Sequence, residues 1–76
     1  MFDGGIFSDR LLYLRKLNNL SQQALADKVG ITYHAIGKIE KKQRAASIEV
    51  LFALANYFDV SIDYLVGRTD KPEVNR

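Results

Sequence analysis

Between Thr32 and Arg44 the chain carries four cations, Lys38, Lys41, Lys42 and Arg44, against a single carboxylate, Glu40. Such a cluster offers charge attraction and hydrogen-bond donation toward a polyanion. The stretch from Ser47 to Val66 is the reverse, with Glu49, Asp59 and Asp63 and no Lys or Arg. A net charge of +2 therefore conceals one basic and one acidic sector. Bond-breaking chemistry has little to work with. There are no paired carboxylates suited to acid–base exchange, no Gly-rich phosphate loop, no metal-ligand cluster around the lone His34, and no Ser-His-acid set. The reading is of a non-enzyme with no cofactor and no metal.

The elements that must position the basic sector announce themselves through hydroxyls. Ser8, Ser21, Thr32, Ser47 and Ser61 each precede an amphipathic stretch, where a side-chain oxygen can accept from the free N–H groups of a first helical turn. Five helices are expected, in a compact all-α fold. The first runs from about Asp9 to Asn18 with Phe7, Leu11, Leu14 and Leu17 inward. The second spans Gln22 to Val29 with Leu25, Ala26 and Val29 inward, closed by Gly30. The third spans Tyr33 to Lys41 on Ile36 and Ile39. The fourth spans Ile48 to Phe58 on Ile48, Leu51, Leu54, Ala55 and Phe58. The fifth is a short turn, Ile62 to Val66, closed by Gly67. Only Gly30-Ile31-Thr32 joins the second and third helices, which favours a steep crossing with close contact at small Ala26.

Size and composition bound the rest. At 76 residues this is one domain, and a chain this short buries only about 60% of its unfolded surface. With no cysteine, disulfides and thiolate metal sites are excluded. An apolar fraction of 47% with 26% charged residues belongs to a folded chain rather than a disordered tail. The apolar run from Val50 to Ala55 is far short of the ~20 residues of a membrane span. No charged-then-apolar leader is evident, so a cytoplasmic protein is expected. Residues 1–5 and 71–76 are expected to be flexible, leaving a domain over 6–70.

Three segments together carry a family resemblance: Leu20-Ser-Gln-Gln-Ala-Leu-Ala-Asp-Lys-Val-Gly-Ile-Thr32, Ile36-Gly-Lys-Ile-Glu40 and Ser47-Ile-Glu-Val-Leu51. They resemble the Xre/Cro family of helix-turn-helix regulators, the lambda-repressor-like DNA-binding domains. The tail from Asp59 to Asp70 resembles the end of that domain in bacterial and phage members. The resemblance implies a sequence-specific, double-stranded-DNA-binding transcriptional regulator, a small repressor whose third helix enters the major groove. It implies base contacts from Thr32, Tyr33, His34, Gly37 and Lys38. It implies phosphate contacts from Ser21, Gln22, Gln23, Lys41, Lys42, Gln43 and Arg44. Arg15 and Glu40 align with a charged pair that ties helices together in relatives. The family carries glycine where Lys42 stands and proline where Ala46 stands, so either Lys42 adopts a positive φ or the third helix runs longer. Members bind as twofold dimers, and the apolar residues left after filling the core, Val50, Phe52, Tyr57, Tyr64 and Val66, are the candidates for a homodimer contact. No membrane or small-molecule partner is implied. The alternative is a protein-interaction module, antitoxin-like or anti-repressor, that retains the fold.

Overall fold

Four hydroxyls start four helices. Ser21 Oγ accepts from Ala24 N–H at 3.0 Å, Thr32 Oγ1 from Ala35 N–H at 3.2 Å, Ser47 Oγ from Val50 N–H at 3.2 Å, and Ser61 Oγ from Tyr64 N–H at 3.0 Å. The computed structural model describes residues 4–74. Its elements are α1 (Gly4–Leu17), α2 (Gln22–Val29), α3 (Tyr33–Glu40), α4 (Ile48–Phe58) and α5 (Ile62–Leu65). Among the described residues there is no strand, and no helix is long and apolar enough to cross a membrane.

Every helix end turns on a residue in the left-handed region: Asn19, Gly30, Lys42, Asp59 and Gly67, with φ between 54° and 87°. At each end, the N–H of the next residue folds back onto a carbonyl of the last turn. These bonds run from Leu20 to Arg15 O, Ile31 to Ala26 O, Gln43 to Lys38 O, Val60 to Ala55 O and Arg68 to Asp63 O, at 2.8–3.1 Å. The otherwise unpaired carbonyls are thereby satisfied, and the chain reverses within two residues. Such sharp ends allow α2, α3 and α5 to be only 8, 8 and 4 residues long.

The helices close on one core. Phe7, Leu11 and Leu14 of α1 meet Leu25 and Ala26 of α2, Ile36 and Ile39 of α3, Leu54 and Ala55 of α4, then Val60 and Leu65. Val29, Leu51 and Phe58 are half-buried against it.

The structure departs from the sequence reading in several places. Ser8 is not a cap. It lies inside α1, buried, and its hydroxyl donates to Ile39 O at 2.6 Å. The helix begins at Gly4 because the Phe7–Leu11–Leu14 spacing places Phe7 in the core only if the chain is already helical there. Gly4 and Gly5 are therefore helical rather than frayed, while residues 1–3 lie outside the described residues. Leu17 (62% exposed) and Ile48 (67% exposed) face solvent instead of the core. Both sit at helix ends, the last residue of α1 and the first of α4. Lys41 and Val66 are caps rather than helical residues.

The segment after α5 is also held in place. Arg10 donates to Tyr64 O, to Thr69 O at 2.6 Å and to Asp70 Oδ1 at 2.8 Å, with its guanidinium 4.3 Å from the Tyr64 ring centroid. Pro72 O accepts from Ser61 N–H at 2.9 Å. Residues 71–74 are irregular but tied in by that bond, and 75–76 fall outside the described residues.

Gly30 and Gly67 share a positive φ but differ in space. A Cβ on Gly30 meets nothing within 4 Å, whereas one on Gly67 falls 2.8 Å from Ile6 Cγ2. Both alanine variants take on a left-handed penalty of about 1–2 kcal/mol. Gly67→Ala adds a clash with a β-branched side chain, a further ~1 kcal/mol or more. Thermal melts should therefore place Gly67→Ala at least ~4 °C below Gly30→Ala. Equal melting temperatures would show that Ile6 yields freely.

Candidate nucleic-acid interface

The buried arc of α3 determines what its other arc shows. Ala35, Ile36 and Ile39 are in the protein interior, so a helix of 3.6 residues per turn must turn Tyr33, His34 and Lys38 outward. All three are exposed, Tyr33 at 45%. The Tyr33 and His34 rings stack at a centroid distance of 4.2 Å and an interplanar angle of 29°. The stacked rings and Lys38 stand together at the border of one concavity. Thr32 is exposed, with its hydroxyl committed to the cap. Gly37 is half-buried, and the Gln22 side chain lies over it, 3.5–3.9 Å from where a Cβ would stand.

The flanks are basic and open. Lys41, Lys42, Gln43 and Arg44 are all exposed. Lys42 takes φ 64°, which ends α3 sharply, and its ammonium is 3.4 Å from Asp9 Oδ1. Among the described residues no carboxylate pairs with Lys38, Lys41 or Arg44. On the other side, Ser21 caps α2 and Gln23 donates to Asp27 Oδ1 at 2.8 Å. Gln22, Tyr33, His34, Gly37, Lys38, Lys41 and Gln43 border one shallow concavity. Thr32 and Arg44 lie outside it and line a separate depression with Ala45 and Ser47.

The underside of this face is an ion pair. Arg15 Nε donates to Glu40 Oε2 at 2.6 Å and Arg15 Nη2 to Glu40 Oε1 at 3.0 Å, with side chains 13% and 6% exposed. A third guanidinium donor, Nη1, reaches Leu20 O at 2.8 Å. Gln22 Nε2 donates to Glu40 Oε1 at 3.0 Å. This link was not apparent from the sequence, because Gln22 and Glu40 are far apart in the chain and only the α2–α3 turn brings them together. Arg10 escaped notice for the same reason.

The five apolar candidates for a dimer contact are not equally available. Phe52 (57%) and Tyr57 (39%) are exposed. Val50 and Tyr64 are half-buried, pack against the core, and are not surplus to it, with Tyr64 also held under Arg10. Val66 is half-buried. Ile48, one turn before Phe52, is exposed on the same face of α4, whereas Tyr57 lies on another face.

The helix-turn-helix family model matches residues 11–65, most of the chain and both motif helices. The protein belongs to the helix-turn-helix family. The HTH-type transcriptional regulator YobD of Bacillus subtilis is 37% identical over 68 residues, covering 90% of this chain and 61% of that protein. The chain spans about half to three-fifths of the length of such curated relatives. The P22 c2 repressor, solved in complex with a synthetic operator, superposes with a TM-score of 0.77 at 31% identity, covering 80% of this chain and 92% of that one. The restriction-modification controller protein C.AhdI from Aeromonas hydrophila gives 0.76 at 33% identity, covering 83% and 96%. The helix-turn-helix fold is thus the lambda-repressor-like one that the Xre/Cro resemblance implied.

Replacing Glu40 by alanine strands the largely buried Arg15 charge. Loss of one partner of such a pair costs about 3 kcal/mol, so Glu40→Ala should melt more than ~10 °C below the wild type. Matching melting curves would show that the pair contributes nothing to the fold.

Proposed function

We propose that this protein is a sequence-specific regulator of transcription that binds a double-stranded DNA operator, acts as a repressor, and reads the major groove with α3. The observation that carries the reading is the outward set of Tyr33, His34 and Lys38, with the exposed cations Lys41, Lys42 and Arg44 just beyond it, on a helix whose opposite side is fixed in the core. Membership of the helix-turn-helix family and the likeness to an operator-bound repressor support it.

Each group has a chemical use. The Lys38 ammonium donates to O6 and N7 of a guanine. The Tyr33 ring packs on a thymine methyl, and His34 exchanges a hydrogen bond with a base edge. Thr32 adds its methyl at the edge of the groove. Gly37 leaves room on the helix face for the Gln22 side chain. Ser21 and Gln23 stand at the first turn of α2, where the N–H groups of a helix start attract phosphate. Lys41, Lys42, Gln43 and Arg44 track the phosphates beyond α3, so binding weakens steeply with salt. One domain covers half an operator, and a homodimer aligned on a palindrome covers the whole. The exposed pair Ile48 and Phe52, one turn apart on α4, is the proposed contact between copies.

Fluorescence anisotropy on duplexes recovered from a random pool tests the reading. Lys38→Ala should cost about 1–3 kcal/mol on the preferred duplex and relax discrimination at one base pair per half-site. Equal weakening on preferred and random duplexes would remove Lys38 from base readout. No binding at low salt would return the protein-interaction module. Lys42→Gly separates stability from binding at one position. Glycine relieves a left-handed φ, so the melting temperature should not fall, while the slope of log affinity against log salt should lose about 0.9 per chain. An unchanged slope would show that Lys42 touches no phosphate.

A further inference from the structure

The chain has one histidine and no cysteine. Imidazole is the side chain that changes charge within the physiological range, and this one stands on the face proposed to meet DNA. The His34 ring is exposed and stacks on Tyr33, with 4.2 Å between centroids. Stacking occupies a ring face and leaves the edge, which carries both nitrogens, for other groups. Among the described residues neither nitrogen has a hydrogen-bond partner. The charge around it has one sign. Lys38 of α3 and Lys41 just past it border the same concavity, where Tyr33 is the other ionisable group. Gln22 of α2 and Gln43 of the loop after α3 complete that border as neutral amides, and no carboxylate is on it. Glu40 is buried and paired with Arg15.

We infer that His34 couples operator binding to proton uptake: the protonated ring is the form that docks, donating to a guanine, so affinity falls as pH rises. The inference rests on the DNA-binding reading above. In the free domain an added proton joins the like charges of Lys38 and Lys41. A duplex reverses that balance. It brings one phosphate charge for about every 1.7 Å of its axis, more than two ammonium groups offset. In the groove a guanine presents two acceptors, N7 and O6. The protonated imidazole has an N–H at both nitrogens, whereas the neutral ring has one donor and one acceptor. The base and the phosphate field therefore favour the same charge state, and docking draws a proton from solution. The proton is held more tightly in the complex than in the free domain. The affinity it adds is thus present on the acid side and is lost as pH rises through the neutral range.

Fluorescence anisotropy on a selected duplex, at one ionic strength and at about pH 6 and about pH 8, tests this on the wild type, His34→Gln and Lys38→Ala. The wild type should bind about tenfold more tightly per half-site at the acid end. The glutamine amide donates and accepts at any pH, so His34→Gln should bind equally at both ends. Lys38→Ala should bind more weakly but keep the dependence, because the titrating ring is still present. Wild-type affinity that does not change with pH overturns the proposal and leaves His34 as a neutral contact. A dependence that persists in His34→Gln overturns it too, since another group then takes up the proton. No binding at low salt at either pH overturns the DNA-binding reading and this inference with it.

Discussion

Glu40 ends α3 with a carboxylate where the helix dipole is already negative, and its side chain is almost wholly buried. Such a group persists only with a matched cation, and Arg15 supplies two of its donors there. The third donor reaches Leu20 O, in the link between α1 and α2, while Gln22 joins from the start of α2. One carboxylate therefore sets the registry of three helices. Its consequence is directional. With Ile36, Ile39 and Glu40 turned inward, α3 cannot rotate, and Tyr33, His34 and Lys38 are left facing solvent. The face proposed to meet DNA is thus built from behind.

Helices of eight residues are unstable alone in water. Here α2 and α3 survive because both ends are closed and one side is packed. The hydroxyls of Ser21 and Thr32 close the starts, and the left-handed residues Gly30 and Lys42 close the ends. Lys42 is an unfavourable choice for that conformation, which an L side chain adopts at some cost. Its presence sets a cation just past the end of α3, a case of local strain coinciding with a proposed contact.

Helix boundaries were legible in the chain wherever a hydroxyl had a single use. Ser47 starts α4 and Ser61 starts α5, each oxygen accepting from the N–H three residues on. Ser8 misled because a hydroxyl can equally cross to another helix, and Ile39 O lay within reach. Leu17 and Ile48 misled because apolar spacing on a helix marks a stripe wider than its neighbours cover. The candidate face was readable for a different reason, since Ile36 and Ile39 leave only one arc for Tyr33, His34 and Lys38. What spacing could not reveal were the contacts made by folding itself, Gln22 with Glu40 and Arg10 with Tyr64, Thr69 and Asp70.

The charge pattern places basic groups around α3 and acidic ones on α4 and α5. Such a distribution favours a polyanion on the α3 side over the α4–α5 side, where Asp63 is itself paired with Arg68. Both the charge distribution and the outward side chains of α3 thus favour the same face, the one proposed to meet DNA. The most direct test of that orientation is a ¹⁵N NMR titration with a short selected duplex, followed by amide shifts along the chain. The account predicts that the largest changes fall on Tyr33, His34, Gly37 and Lys38, with the loop from Lys41 to Arg44 next. Amides of α3 that stay still while the duplex binds elsewhere would contradict it.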